Sequence, residues 1–330
     1  MRDADFRGIA AALGGEVVSA SVLAGGFSHE TCLVDLGVRK VVARFGGGDP
    51  VVEAGVMAAA RRVVPVPEVL LVLPGAMVIE YVPGTVLSRV LGDGGLGGGL
   101  GRDDAVALGF EVGRVIAGIA GVSFGRPGFF VSGGLAGRGP ASGGLASGGP
   151  ASEGSAGGGL VVLEEVPWSR QLGVVAEECM GRVPGGRLDA RTRAAWVRMC
   201  VEHAPVLEAV DGHARLVHAD VNPKNILVSR DGPGWRVDSV LDWEFSYSGC
   251  SYGDAANMAR FGDDHPDGFL DGFRDGFAAG QPADLPLAGD WERVGWVLDM
   301  FALSDLVTRP VGHVTADQAA ERIRHLVSRG

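Results

Sequence analysis

Two segments of this chain place carboxylates and an amide at the ends of apolar runs. In residues 216–228, which read LVHADVNPKNILV, Asn225 follows Asp220 by five positions. In a second segment, SVLDWE, an apolar run of β type ends at Asp242. Two aspartates and one asparagine are therefore expected on short loops that buried strands flank.

Phosphoryl transfer is the chemistry that needs this set of groups. One aspartate accepts the proton of a hydroxyl group and orients it as the nucleophile, while an asparagine and a second aspartate hold Mg²⁺ against the phosphates. Mg²⁺ suits this role because it takes few protein carboxylates and leaves positions for phosphate oxygens. Asp220 is the predicted base or orienting group, with Asn225 and Asp242 as metal ligands. The alternative is that all three only form turns and end a strand.

These residues resemble the aminoglycoside phosphotransferase and choline kinase family. The family motif H-x-D-x-x-x-x-N matches residues 218–225, and a D-W-E strand end matches residues 242–244. The resemblance implies a protein-kinase-like fold and phosphorylation of hydroxyl groups on small molecules. It also implies that His218 orders the loop by hydrogen bonding. The family more often has glycine where this chain has Ala219, and protein kinases have H-R-D and D-F-G motifs instead.

The resemblance places the binding site for nucleotide phosphates in the first part of the chain. Strand-like segments at 16–23 and 29–36 flank a glycine turn that contains Gly25, Gly26, Phe27 and Ser28. Glycine lets the backbone approach a phosphate, and backbone N–H groups and the serine hydroxyl can donate hydrogen bonds to its oxygens. A plain β-hairpin is the alternative interpretation of this segment.

A cation on the third predicted strand, residues 39–45, is expected to contact the α- and β-phosphates. Arg44 matches the family position, and its guanidinium group stays charged and offers a forked set of donors. Lys40 has the same strand parity and is the reserve candidate. The resemblance pairs Glu53, on a predicted helix over 50–62, with this cation. A solvent-facing charge is the alternative for either cation, and a helix-dipole effect is the alternative for the glutamate.

Two more predicted strands, at 66–74 and 76–84, complete a small sheet and lead into a hinge. In the resembled fold, the backbone of the hinge contacts the adenine edge of the nucleotide. The expected contacts are the carbonyl of Glu80 and the N–H and carbonyl of Val82.

Three other polar residues are predicted near the site. Glu244 is a candidate third acidic contributor to the metal or substrate site. Asp254, in the segment GCSYGDAA, resembles the aspartate that braces the catalytic loop through backbone amides, although a helix cap explains it equally well. Lys224 either approaches a phosphate or is solvated.

Residues 260–280 combine aromatic and acidic positions. Phe269, Phe273 and Phe277 recur every four residues and are expected to face the core. The resembled family uses this region in its acceptor pocket, so the acidic residues either hold a cationic substrate or form a solvated face. They are Asp263, Asp264, Asp267, Asp271 and Asp275.

The composition indicates a globular protein with one low-complexity insertion. The chain has 330 residues, 46% of them hydrophobic, which is enough for two lobes with cores. Its 55 glycines exceed the usual share, and many of them lie in residues 132–159. This Gly/Ala/Ser/Pro tract cannot bury enough apolar surface to become ordered, so we predict a disordered insertion.

The charge and the cysteines exclude several classes of function. The net charge of −11 argues against nucleic acid as a partner, because a phosphate backbone needs a basic surface. The charge also suits a cationic substrate, although solubility alone explains it. The four cysteines are scattered and predict free thiols in a reducing cytoplasm. We expect no signal peptide and no membrane span.

Together, the resemblance and these features predict a two-lobed, protein-kinase-like α+β fold. A small antiparallel sheet is expected in a nucleotide-binding lobe (1–83), and helices in a catalytic and acceptor-binding lobe (84–330). The predicted enzyme, a monomer or homodimer, transfers a phosphoryl group from ATP or GTP, with Mg²⁺, to a small-molecule hydroxyl group.

The identity of the acceptor stays open at this stage. An antibiotic such as an aminoglycoside is the first expectation, because the Gly/Ala/Val/Arg-rich composition suggests an antibiotic-producing bacterium with a GC-rich genome. A metabolic acceptor such as choline, a sugar or homoserine is the alternative. A catalytically weak nucleotide-binding module is a further alternative from a different class.

Overall fold

The computed structural model describes most of the chain outside its glycine-rich segments. The described stretches are residues 2–23, 29–92, 100–132, 160–163, 165–232 and 234–329. The predicted phosphate-binding turn at 25–28 and nearly all of the predicted insertion at 132–159 lie outside them.

A five-stranded antiparallel sheet and two helices form the first lobe, and the small antiparallel sheet is the one that the sequence predicts. In chain order they are α1 (Arg2–Leu13), β1 (Ser19–Val22), β2 (His29–Asp35), β3 (Lys40–Gly46), α2 (Pro50–Ala60), β4 (Val69–Leu73) and β5 (Ala76–Glu80). The strand order is β1-β2-β3-β5-β4. Successive side chains of a strand point to opposite faces, so Val78 packs with α1 and Met77 with α2. The sheet thus carries one helix on each face.

The second lobe is mostly helical and contains two small sheets. Its elements are β6 (Thr85–Val86), α3 (Leu87–Leu91), α4 (Arg102–Gly118), β7 (Gly128–Ser132), β8 (Leu160–Val162), α5 (Trp168–Arg182), α6 (Ala190–His203), β9 (Arg215–Val217), β10 (Ile226–Asp231), β11 (Gly234–Val240), β12 (Tyr247–Gly249), α7 (Tyr252–Ala259), α8 (Phe269–Ala279), α9 (Trp291–Leu306) and α10 (Val314–Arg329). One sheet has the order β11-β10-β6 and the other β8-β7-β12-β9. The predicted two-lobed α+β architecture is therefore confirmed.

The two lobes share a hydrophobic core at their junction. Residues 81–84, which connect β5 to β6, have no helix or strand structure, and β6 then pairs with β10 through Val86 and Leu227. Buried side chains of α2 and β5 belong to the same cluster as those of the helical lobe. At Gly55, an added Cβ would lie 2.9 Å from Leu160 of β8. The domain boundary that we propose at residue 83 therefore lies in the backbone connection, while the core crosses it.

Helices α4 and α8 pack backbone against backbone along two glycine stripes. In α4 the stripe is Gly109 and Gly113, and in the α8 region glycine recurs every four residues at positions 268, 272, 276 and 280. An added Cβ at Gly113 would lie 2.1 Å from the carbonyl oxygen of Phe273, and one at Gly276 would lie 2.0 Å from that of Phe110. No side chain fits between the helices at these points.

The three regularly spaced phenylalanines of α8 are fully buried, so the prediction that they face the core is confirmed. Helix α8 begins only at Phe269, because Gly268 before it has a positive φ of 89°. The glycines and the phenylalanines therefore occupy neighbouring faces of one buried helix. Among the described helices, none is long and apolar enough to cross a lipid bilayer.

Because α4 and α8 are in backbone contact, we expect alanine substitutions at different glycines to differ greatly in their effect on stability. Gly276→Ala should lower the free energy of unfolding by about 3 kcal/mol or more, because the new methyl group forces the two helices apart. Gly8→Ala is the matched control, since this glycine of α1 has no atom within 4 Å of an added Cβ. The control should raise stability by about 0.5–1 kcal/mol. Urea unfolding of both variants measures the difference, and equal stabilities would contradict this packing.

Candidate active site

His218 is buried at the end of β9 and is held in one tautomer. Its Nε2 lies 2.9 Å from the carbonyl oxygen of Leu241, while its Nδ1 accepts a hydrogen bond from the backbone N–H of Asp220 at 3.2 Å. The Nε2 atom therefore carries the proton. Burial lowers the pKa of His218 to about 4, so the ring is neutral at physiological pH. The ring orders the loop by hydrogen bonding, as predicted.

Asp254 holds the same loop from the other side. Its carboxylate accepts the backbone N–H groups of His218 at 2.9 Å and Ala219 at 2.8 Å. It lies in the first turn of α7 and is fully buried. Burial raises its pKa to about 7, against the lowering effect of the two N–H donors. The predicted bracing contact is therefore present.

Two non-glycine residues of the site have left-handed backbone conformations. Ala219 has a φ of 69° and Asp242 a φ of 67°, and no other non-glycine residue in the described stretches has a positive φ. This conformation costs a residue with a Cβ roughly 1–2 kcal/mol. The glycine that the family more often carries at the first position fits this backbone without strain. Ala219 precedes the predicted base and Asp242 is itself a predicted metal ligand, and the surrounding contacts hold both residues in place.

Asn225 and Asp220 are in direct contact. The Nδ2 atom of Asn225 donates to Oδ2 of Asp220 at 2.9 Å, and Nδ2 of Asn222 donates to Oδ1 at 3.1 Å. Burial raises the pKa of Asp220 to about 6. The charge of Asp242 acts in the same direction, and that of Arg260 opposes it. The two predicted aspartates therefore lie close enough to influence each other.

Leu241 joins the two sequence motifs through its backbone. Its N–H donates to the carbonyl oxygen of Asn225 at 2.8 Å, and its carbonyl oxygen accepts from His218. The residue that follows it is Asp242. The catalytic loop therefore fixes the strand end that presents the second aspartate.

Arg44 bridges two carboxylates at the junction of the lobes. Its Nη1 lies 2.5 Å from Oε1 of Glu53, and its Nη2 lies 2.5 Å from Oδ1 of Asp242. Arg44 is 7% exposed and Glu53 5%, while the side chain of Asp242 is 30% exposed. Burial alone lowers the pKa of Arg44, but the two carboxylates outweigh burial and leave it raised. Lys40, the reserve candidate, is exposed at the start of β3.

All three residues of the D-W-E segment contact the first lobe or the histidine. Asp242 contacts Arg44. The backbone N–H of Trp243 donates to Oε1 of Glu53 at 3.2 Å. The Trp243 ring packs on His218 with a centroid distance of 4.5 Å. Glu244 accepts the N–H of Gly48 at 3.2 Å. The segment thus ties the β3–α2 loop and α2 to the catalytic loop.

Other predicted residues lie away from this cluster or cannot be placed. The carboxylate of Glu80 contacts Arg61 and the N–H of Glu68, and Val82 lies in the connection between the lobes. Their expected nucleotide contacts use backbone atoms and stay predictions. In the acidic 263–275 region, Asp271 is highly exposed and pairs with Arg102 and Arg274. Gly25, Gly26, Phe27 and Ser28 lie outside the described residues.

A buried ion pair near Asp220 was missed by sequence reasoning. Arg260 donates to Asp299 at 2.5–3.0 Å, both side chains are buried, and Asn257 donates to the same carboxylate at 2.8 Å. The sequence gives only a weak signal for it, an i,i+3 polar pair formed by Asn257 of α7 and Arg260 at its C-cap. The partner on α9, Asp299, is 39 positions from Arg260 in the chain and meets this pair only through tertiary packing.

The donor set of the site fits Mg²⁺. Within the stretches that the structure describes, no group of three or more His, Cys, Asp or Glu side chains is arranged to hold a metal ion. Mg²⁺ does not need such a cage, because it binds through one or two carboxylates together with phosphates and water. Asp242 supplies a partly exposed carboxylate, and Asn225 an amide oxygen beside Asp220. Their roles as ligands stay predictions.

A sheet-rich lobe and a helical lobe, with a buried cation and two aspartates at their junction, define a kinase-like phosphotransferase architecture. The model of the phosphotransferase enzyme family matches residues 19–296. The chain therefore belongs to this family. Among curated proteins, none matches the sequence.

Solved structures with the same fold are distant in sequence. Aminoglycoside phosphotransferase APH(4)-Ia is 17% identical over 99% of both chains, with a TM-score of 0.65. Macrolide 2'-phosphotransferase MphH from Brachybacterium faecium is 16% identical over 97% of this chain and 96% of its own, with a TM-score of 0.57. At these identities the likeness concerns the fold.

Because the backbone of Ala219 is strained, we expect its replacement by glycine not to destabilise the protein. Ala219→Gly should leave stability unchanged or raise it by up to about 1 kcal/mol, because relief of the left-handed strain exceeds the entropy gained by the unfolded chain. Ala278→Gly, on the exposed surface of α8, should lower stability by about 0.5–1 kcal/mol. Chemical denaturation compares the two variants. A loss of similar size in both would mean that Ala219 is unstrained.

The buried carboxylate of Asp254 predicts a pH-dependent contribution to stability. Its pKa of about 7 in the fold lies above the ordinary value near 4 for an unfolded chain, so the folded protein binds more protons between these values. Its contribution is greatest at low pH and is lost as the pH rises through about 7. The stability difference between wild type and Asp254→Asn should therefore be larger at pH 5 than at pH 8. A difference that grows with pH would contradict this assignment.

Proposed function

We propose that this protein is a nucleotide-dependent O-phosphotransferase that phosphorylates a hydroxyl group of a small molecule. The contacts at the junction of the two lobes are the observation that supports this proposal. Arg44 connects the first lobe to Asp242, and Asp242 lies next to the Asp220–Asn225 pair. A cation for phosphates, a carboxylate for metal and a carboxylate for the nucleophile are the groups that phosphoryl transfer needs.

Each residue has a proposed role in this reaction. Asp220 accepts the hydroxyl proton and orients the acceptor, and its raised pKa suits a group that takes up a proton near neutral pH. Arg44 steadies the nucleotide phosphates, while Asn225 and Asp242 would hold Mg²⁺. When bound, Mg²⁺ neutralises the charge that develops on the phosphates. The backbone of residues 80–82 and the turn at 25–28 are the proposed contacts for the base and the phosphates.

ATP and GTP are both candidate donors. A solved structure of APH(4)-Ia contains AMP-PNP and hygromycin B, and one of APH(2")-IIIa contains GDP and kanamycin. The latter is 13% identical over 95% of this chain and 93% of its own, with a TM-score of 0.57. The shared architecture thus accommodates adenine as well as guanine nucleotides, and we propose that this chain uses one of them.

We propose an antibiotic as the acceptor, with aminoglycosides first. The neighbours just named act on or bind aminoglycosides, and MphH is a macrolide phosphotransferase. The net charge of −11 favours the cationic aminoglycosides through electrostatic attraction. Resistance or self-protection would be the biological role of such an enzyme.

The acceptor is tested by mass spectrometry of a substrate panel. The purified protein is incubated with ATP or GTP and Mg²⁺ against aminoglycosides, macrolides, choline, sugars and homoserine. A gain of one phosphoryl group on an aminoglycoside is the expected result. A gain on a metabolite alone would keep the reaction and reject the antibiotic role. Nucleotide binding without any phosphorylated product across the panel would favour the binding module over the enzyme.

The residue roles predict the effect of two substitutions. Asp220→Ala and Asp242→Ala should each lower kcat by a factor on the order of 10² to 10⁴ while circular dichroism shows a folded protein. Asp103→Ala is the matched control, because this aspartate is exposed on α4 and should leave kcat unchanged. Near-normal turnover in either site variant would reject the mechanism.

A further inference from the structure

We propose that Arg44 is a gate for the metal: it competes with a divalent cation for Asp242, so that the cation binds there only together with a nucleotide. The inference rests on the proposed function and concerns the same site. It assigns to the arginine, in addition to contact with phosphates, control over the order in which metal and nucleotide bind.

The carboxylate of Asp242 is already occupied by a cationic side chain. Asp242 is the proposed metal ligand, and its Oδ1 already accepts the Nη2 donor of Arg44 at 2.5 Å. A cation that coordinates this carboxylate must share it with a guanidinium group or displace that group. Sharing places two positive centres within a few ångströms in a partly buried site, where charges are weakly screened.

Buried contacts prevent Arg44 from simply moving aside. Its other terminal nitrogen lies 2.5 Å from Oε1 of Glu53, and its side chain is buried. The same Glu53 oxygen also accepts the N–H of Trp243 at 3.2 Å. Rotation of Arg44 away from Asp242 would therefore disturb a buried ion pair that is expensive to break.

The buried cation is an arginine and not a lysine, and this difference in shape matters for access to Asp242. A guanidinium group is a planar fork that can donate to two carboxylates lying in different directions, whereas an ammonium group is a compact point charge. Arg44 uses two separate nitrogens for Glu53 and Asp242. A lysine at this position would leave Asp242 more accessible to a cation.

Nucleotide phosphates resolve the competition. Their negative charge would offset the repulsion between the guanidinium group and the metal, and they offer acceptors that can replace Asp242 for the arginine. Affinity for the metal and affinity for the nucleotide are then coupled, and the coupling is reciprocal. Three acidic residues act on Arg44, so its removal should turn the site into an open cation site. They are Glu53, Asp242 and Glu244.

The test is a Mn²⁺ titration followed by electron paramagnetic resonance, with and without AMP-PNP. In the wild type, AMP-PNP should tighten Mn²⁺ binding far more than it does in Arg44→Met. Without nucleotide, Arg44→Met should bind Mn²⁺ about tenfold more tightly than the wild type. Lys40→Met is the matched control, because it removes an exposed positive charge from the same strand and should change nothing.

Two further variants locate the effect and guard against misfolding. Asp242→Ala combined with Arg44→Met should abolish the gain in Mn²⁺ affinity. This loss would place the Mn²⁺ site on the carboxylate of Asp242. If Arg44→Met fails to fold because Glu53 is left buried without its compensating cation, the Arg44→Met/Glu53→Gln double variant removes both charges and should show the same gain in Mn²⁺ affinity. The Mn²⁺ affinity of Arg44→Lys should lie between those of the wild type and Arg44→Met.

The outcomes separate this inference from the proposed function. Unchanged or weaker Mn²⁺ binding in folded Arg44→Met, or an equal gain in Lys40→Met, would overturn the gate even if the wild type transfers phosphoryl groups. A wild type that transfers none across the panel, with the gain intact in Arg44→Met, would reject the proposed function and leave the gate standing.

Discussion

The buried charge of Arg44 is the constraint on which the rest of the site depends. It lies on β3 of the first lobe, and it compensates Glu53 of α2 as well as Asp242 of the second lobe. Each of these acids would be costly at the junction without its partner. One guanidinium group therefore fixes the helix, the strand end and the spacing between the lobes together. The backbone N–H of Trp243 reinforces the link by donating to the same glutamate.

A second set of contacts, made by two buried side chains, fixes the catalytic loop. His218 and Asp254 make no predicted contact with substrate, but they hold the loop through backbone atoms. These contacts stabilise the left-handed conformations at Ala219 and Asp242, which the chain would otherwise avoid. The strain is thereby balanced by buried hydrogen bonds that also determine where Asp220 and Asp242 point.

Rigid packing behind the site supports this arrangement. Helices α4 and α8 approach closely enough for glycine stripes to touch the opposing backbone, and α4 also packs on β11, the strand that leads to Asp242. Close packing leaves little room for adjustment. The position of the second aspartate therefore depends on small residues far from it in the sequence, as well as on its direct partners.

The sequence by itself determined the order of the five strands and of α2 in the first lobe, the motif residues and the family. Hydrophobic periodicity and turn residues act locally, so the strands, the helices and the buried face of Phe269, Phe273 and Phe277 could be predicted. Spacing within residues 218–225 and the D-W-E segment sufficed for the expected catalytic set. Only the tertiary structure decided that Arg44 reaches Asp242, that Arg260 meets Asp299 near Asp220, and that glycines interlock α4 with α8. These contacts join residues far apart in the chain, and no local pattern encodes which distant partner a buried charge or a glycine will meet.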